Sequence, residues 1–102
     1  MRFFLYKLTP PRPTFAQDMT EAETKLMQEH VMYWKDLAGR GIAVVFGPVA
    51  DPNGAWGVAI VEVEDEADAR ALAANDPTVK SDCNFKFDIY SMPIAVLRSP
   101  TV

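Results

Sequence analysis

The sequence predicts an α+β domain: one four-stranded antiparallel sheet with two helices on one face. Three observations carry this. Two helical segments bring their own caps, four short runs are rich in β-branched and aromatic residues, and their order along the chain is βαββαβ. The 102 residues are one domain's length, and 49% apolar with 24% charged residues is the composition of a folded globule, which excludes a disordered or collagenous chain.

The elements follow in order. Arg2 to Leu8 is almost wholly aromatic or aliphatic. Phe3, Leu5 and Lys7 face one side of a strand and Phe4, Tyr6 and Leu8 the other, so the strand is expected to be central and covered on both faces. Thr9-Pro10-Pro11-Arg12-Pro13 opposes regular structure, because proline lacks an N–H and fixes φ. A stiff, extended loop is expected to about Met19, with Phe15 preferring burial. Thr20 and Glu23 form a capping box and open a helix from Glu21 to about Ala38. At about 100° per residue, Leu26, Met27, His30, Trp34, Leu37 and Ala38 share one stripe, with Val31 at its edge. Gly39 and Gly41 end the helix, Gly41 being available for a left-handed C-cap.

Ile42 to Phe46 is a β-branched strand. Asp51-Pro52-Asn53-Gly54 is a turn signal, and Trp56 to Val63 returns as the second strand of a hairpin closed by the Gly47–Gly54 loop. Asp65 caps a second helix, expected from Glu66 to about Asn75, with Ala67, Ala71 and Ala74 as a small, flat packing face. Pro77 stops it. Phe85 to Tyr90 is the last strand, with Phe85, Phe87 and Ile89 on one face; a short apolar tail, Ile94 to Leu97, follows. This order gives the ferredoxin-like arrangement. No linker, repeat or second domain is visible.

Charge and motif content exclude several functions. The net charge is −4 and the cations are scattered singly, so nucleic acid is not an expected partner. No apolar run approaches the roughly 18 residues of a membrane span. The first residues lack a signal peptide's apolar region and cleavage site, which makes the cytoplasm the expected compartment. Cys83 is the single cysteine and His30 the single histidine. No internal disulfide forms, and these two residues do not make a structural zinc site; a metal held by His30 and carboxylates stays open as the alternative, and none is predicted. With no phosphate loop, dinucleotide fingerprint or nucleophile elbow, no cofactor is predicted.

His30 is the most informative residue. It lies between Leu26 and Trp34 on the apolar stripe, so its imidazole faces the sheet or a cavity above it. One reading is a core histidine satisfied by a single hydrogen bond. The other is a general acid/base, since imidazole titrates nearest physiological pH. Asp76 is the second candidate. Pro77 holds it extended, and its carboxylate could accept from one imidazole nitrogen and set the tautomer. Phe15, Trp34 and Phe46 are candidate walls of a substrate pocket. Tyr33 at the stripe's edge offers a hydroxyl, and Cys83 has no neighbour in sequence that would activate it.

The ordered set of motifs resembles the YCII-related (YciI-like) family of dimeric α+β barrel proteins. The residues that carry the resemblance are Phe3–Leu8, His30-x-x-x-Trp34-x-x-Leu37 leading to Gly41, and Phe46-Gly47-Pro48. They continue through Ala73-Ala74-Asn75-Asp76-Pro77 with Val79 and end at Ile89-Tyr90-Ser91-Met92-Pro93. The resemblance implies a ferredoxin-like subunit that dimerises sheet to sheet, with His30 and Asp76 as its active-site pair. One branch of the family is similar to a dehydrochlorinase of a chlorinated hydroxyhydroquinone, and the same barrel includes muconolactone isomerases and cofactor-free monooxygenases. The Pro10–Met19 segment departs from the shorter members and is placed to reshape the pocket.

Two functions are therefore expected in competition. One is a cofactor-free acid/base enzyme acting on a small aromatic-derived or lactone substrate. The other is a non-catalytic, small-ligand-binding or regulatory module. Either way a homodimer is expected. Phe3 and Leu5, like Val58 and Ile60, make the second sheet face apolar too, and two helices cover only one face.

Overall fold

The protein is described by a computed structural model over residues 1–100. The strands are β1 (Arg2–Thr9), β2 (Ala43–Val49), β3 (Trp56–Val63) and β4 (Lys86–Met92). They form one antiparallel sheet in the order β2-β3-β1-β4. The main helices are α2 (Glu21–Gly39) and α3 (Glu66–Ala74), and two single-turn helices, α1 (Phe15–Asp18) and α4 (Pro77–Lys80), complete the chain.

The caps explain where the long helices begin and end. Thr20 accepts from the Glu23 N–H (3.1 Å), and Glu23 accepts from the Thr20 N–H (2.9 Å), closing the expected box. At the other end the Gly41 N–H donates to Ala38 O and the Ile42 N–H to Leu37 O. These paired bonds with Gly41 at φ +76° make a Schellman cap, which a residue with a Cβ would strain. Asp65 caps α3 by accepting from the Asp68 N–H.

The core lies between the sheet and α2 with α3. Phe4, Tyr6 and Leu8 of β1, Ala59 and Val61 of β3, and Trp34 and Leu37 of α2 are all buried. Burying each large side chain contributes about 1.5–3 kcal/mol. Register alternation then places Phe3 and Leu5 beside Ile60, Glu62 and Tyr90 on the other face, which no element among the described residues covers. The expectation that β1 is covered on both sides holds within the chain for one side only.

Several expected boundaries move. The segment after the prolines is not extended to Met19: Arg12 O accepts from the Phe15 N–H, and Thr14 O from Gln17 and Asp18, which winds α1. β2 runs past Phe46 through Pro48 to Val49; it is an edge strand, where a missing N–H is tolerated. Lys86–Met92 replaces Phe85–Tyr90 as the last strand. Ala38 is exposed. The packing face of α3 is Ala69, Leu72 and Ala73 rather than Ala67, Ala71 and Ala74, which face solvent. With alanine at most positions, only Leu72 distinguishes the inward side. Pro77 does not simply end α3; it is the first residue of α4, a position where its absent N–H costs nothing.

Candidate active site

The polar centre of the molecule is Asp76, which is completely buried. The clash between Pro77 and the residue before it holds Asp76 extended (φ −60°, ψ 128°), and so aims its side chain back over the first turn of α4. There Oδ1 accepts from the Thr78 N–H (2.9 Å) and the Thr78 hydroxyl (2.8 Å). Oδ2 accepts from the Tyr6 hydroxyl on β1 (2.8 Å) and the Trp34 indole N–H on α2 (2.7 Å). His30 Nδ1, one helical turn before Trp34, lies 2.8 Å from Oδ2 and 3.0 Å from Oδ1. Three separate parts of the chain thus converge on one carboxylate.

The donor set fixes protonation. An indole N–H and a peptide N–H only donate, so each Asp76 oxygen is an acceptor. Burial pushes the Asp76 carboxyl upward, but the bonds from His30, Trp34 and Thr78 and the His30 charge outweigh it and hold its pKa below the ordinary value. An ionised Asp76 has no proton to give, so His30 Nδ1 carries one. The neutral imidazole therefore has its lone pair on Nε2. Burial, then the Asp76 charge, pushes the Tyr6 hydroxyl far upward, which keeps it protonated and a donor to Asp76.

His30 Nε2 has no protein partner among the described residues, and no buried polar side-chain atom is left unpaired. His30 instead lines a cavity of about 260 Å³ between α2 and the β2–β3 end of the sheet. Phe15 and Phe46 are walls of this cavity, with Met27 and Val31 from α2 and Leu8 from β1. Trp34 is not. Its ring is 1% exposed, stacks on Tyr6 at 5.0 Å between centroids, and spends its polar atom on Asp76. The expected wall is a support beneath the histidine.

The Pro10–Met19 segment is a strap over the cavity, contributing Pro10, Phe15, Ala16 and Met19 to its lining. Phe15 is buried edge-on against Phe85 (5.3 Å). Arg12 clasps the strap to α2. It donates to both oxygens of Glu23 (2.7 and 2.9 Å) and to Asp18 Oδ1 (2.7 Å). Those bonds, Arg12 first and then the Thr20 N–H, pull Glu23 down to about 2. Pro13 packs so closely on Gly54 (φ +130°) that a Cβ there would sit 2.9 Å from the Pro13 backbone. No group of three or more His, Cys, Asp and Glu side chains among the described residues is placed to hold a metal ion.

The strands, the helix pair and the strap-covered cavity all fall within one family model, that of the YCII-related domain, which matches residues 1–93. The chain belongs to the YCII-related family. No curated protein matches it. Within this YCII-related chain the sequence pattern alone missed Tyr6 and Thr78. Both signals were present. A tyrosine rather than a phenylalanine at a core strand position needs a hydroxyl partner, and Asp-Pro-Thr is an N-cap followed by a first-turn proline. Tyr33, expected at the edge, donates to Leu72 O (2.7 Å) and ties α2 to α3. Cys83 is partly buried and free.

Proposed function

We propose that this protein is a small enzyme that needs no cofactor, with His30 as acid/base and Asp76 as its fixed counter-charge. Its substrate class is small aromatic-derived or lactone compounds. The observation that carries the reading is the arrangement of the imidazole: Nδ1 is held by an ionised, fully buried carboxylate, and Nε2 is turned to an apolar cavity. Nε2 takes a proton from a substrate C–H or O–H, and the imidazolium that forms faces Asp76 at 2.8 Å. In an isomerisation the proton returns at another carbon. In a dehydrochlorination the C–H electron pair becomes the new π bond, the C–Cl bond breaks and chloride leaves. Phe15 and Phe46 hold the ring, while Tyr6, Trp34 and Thr78 keep Asp76 from turning.

The test is proton exchange in D2O, followed by NMR, on a panel of unsaturated γ-lactones and chlorinated hydroquinones. Wild type is expected to exchange or convert a panel member, and His30→Gln to lose that rate. Equal rates for the two proteins overturn the reading. Long-range ¹H–¹⁵N spectra of the imidazole are expected to show the Nδ1–H tautomer in wild type; the Nε2–H tautomer removes the pair from the mechanism.

The working unit in this reading is a homodimer joined through the uncovered sheet face. Val45 and Tyr90, each 54% exposed, flank the half-buried Phe3, Leu5, Val58 and Ile60 there, an apolar surface that association would remove from water. Analytical ultracentrifugation is expected to give a dimer at micromolar concentration and a monomer for Leu5→Glu; a wild-type monomer overturns it.

A further inference from the structure

From the cavity's lining we infer that the site selects by charge: it takes an electrically neutral, one-ring ligand that presents a polar hydrogen to His30 and rejects the same ring bearing a carboxylate. The inference rests on the reading of His30 and Asp76 given above and narrows its substrate class.

Size comes first. A cavity of about 260 Å³ is larger than the roughly 150 Å³ that accommodates a benzene ring in an apolar core, so it has room for one substituted ring. Polarity comes next. No Lys, Arg, Asp or Glu lines the cavity. Its polar side chains are His30 and Trp56, and the Trp56 indole N–H already donates to Asp51 (3.1 Å). That leaves His30 Nε2 to greet a ligand. In the neutral tautomer it is an acceptor, which matches an O–H or an acidic C–H and has nothing to offer an anion.

The surroundings add to this. Asp76 lies directly behind the imidazole, ionised and without exposure to water. A ligand carboxylate would be a second negative charge in the same low-dielectric space, with the protein supplying no additional cation. Two cations lie against wall residues, and neither lines the cavity. Arg12, which lies 5.4 Å from the Phe15 ring centre, is bound to Glu23 and Asp18. Lys7 lies over the Trp56 ring at 4.8 Å, in a neighbouring cleft that also contains Asp51. Carboxylate-bearing lactones are therefore outside the class, while phenols and uncharged lactones are inside it.

The experiment compares 4-methylphenol with 4-methylbenzoate at about pH 8, where the first is neutral and the second ionised. Binding to the wild-type protein is followed by the Met19 and Met27 methyl signals. The phenol is expected to bind and to shift both methyls, with the benzoate weaker by about tenfold or more. Equal or tighter binding of the benzoate overturns the inference, as does failure of the phenol to bind up to its solubility limit. A second variant turns the preference around. Val31 lines the cavity yet is 40% exposed on α2, so Val31→Lys can place a cation at the wall without opening the core. It is expected to close or reverse the gap, and an unchanged gap in that folded variant counts against charge as the cause. None of these readouts needs proton transfer by His30. Loss of the acid/base reading would appear in the exchange assay and the tautomer, and loss of charge selection would appear here.

Discussion

Asp76 and Glu23 each gather several donors around one buried carboxylate, but the donors of Asp76 are themselves buried, whereas Arg12 beside Glu23 reaches water. Asp76 faces five donor groups, on Tyr6, His30 and Trp34 and two on Thr78, with no exposure at all. Glu23 holds Arg12 and the Thr20 N–H at the start of α2, and its Arg12 partner has a third of its side chain in solvent. Both carboxyls are held below their ordinary pKa. The difference lies in what replaces a lost partner. Water can take over from Arg12 at the strap, whereas nothing can reach Tyr6 or Trp34. Similar geometry therefore serves a durable centre in one place and a releasable clasp in the other.

The largest expected effect comes from removing the buried carboxylate. Asp76→Ala leaves a phenol, an indole and an imidazole N–H without acceptors, and should cost about 3–5 kcal/mol in urea unfolding. The same group gives the pH dependence. Because its folded pKa is depressed, its contribution is complete above the unfolded carboxyl value of about 4 and is lost as pH falls through the lower folded value. Asp76→Asn should flatten that acid limb, and an acid limb identical to wild type would show that the carboxylate is not the group responsible. Tyr6→Phe is intermediate. It removes one donor but leaves Oδ2 bonded to Trp34 and His30, so about 1–2 kcal/mol is expected by the same measurement. Arg12→Ala should move the unfolding midpoint less than Tyr6→Phe, because water reaches the Arg12 side of the pair and can take its place. Its effect is local: faster hydrogen exchange at the Gln17 and Asp18 amides of α1. A midpoint shift as large as that of Tyr6→Phe would erase the contrast between centre and clasp.

How far the sequence reveals this depends on whether the decisive signal is local. The capping box at Thr20 and Glu23, the Gly41 cap and the hairpin strands are each encoded within a few neighbouring residues, and all are visible beforehand. The pairing of His30 with Asp76 was visible through helix phase and through the family resemblance. The support beneath it was not, because Tyr6 lies 70 residues from its acceptor and Trp34 lies 42. On an apolar stripe, an indole reads as mere bulk. The phase of α3 was ambiguous for a different reason: alanines point every way, and helical burial is set by what Leu72 meets across the chain. The strap is a third case. Its prolines forbid a long element but not one turn, and α1 is held by Arg12 reaching Asp18 and Glu23 rather than by propensity.

One feature of the Asp76 junction extends beyond the site. Oδ1 both starts α4, through the Thr78 N–H, and touches His30 Nδ1 at 3.0 Å. A single atom thus joins the charge on the imidazole to the integrity of a backbone turn. A proton added to His30 would strengthen the ring's pull on Oδ1, the same atom that accepts from the Thr78 N–H. The Thr78 amide signal is therefore a natural gauge of the histidine's state, legible in an ordinary ¹H–¹⁵N spectrum without labelled substrate.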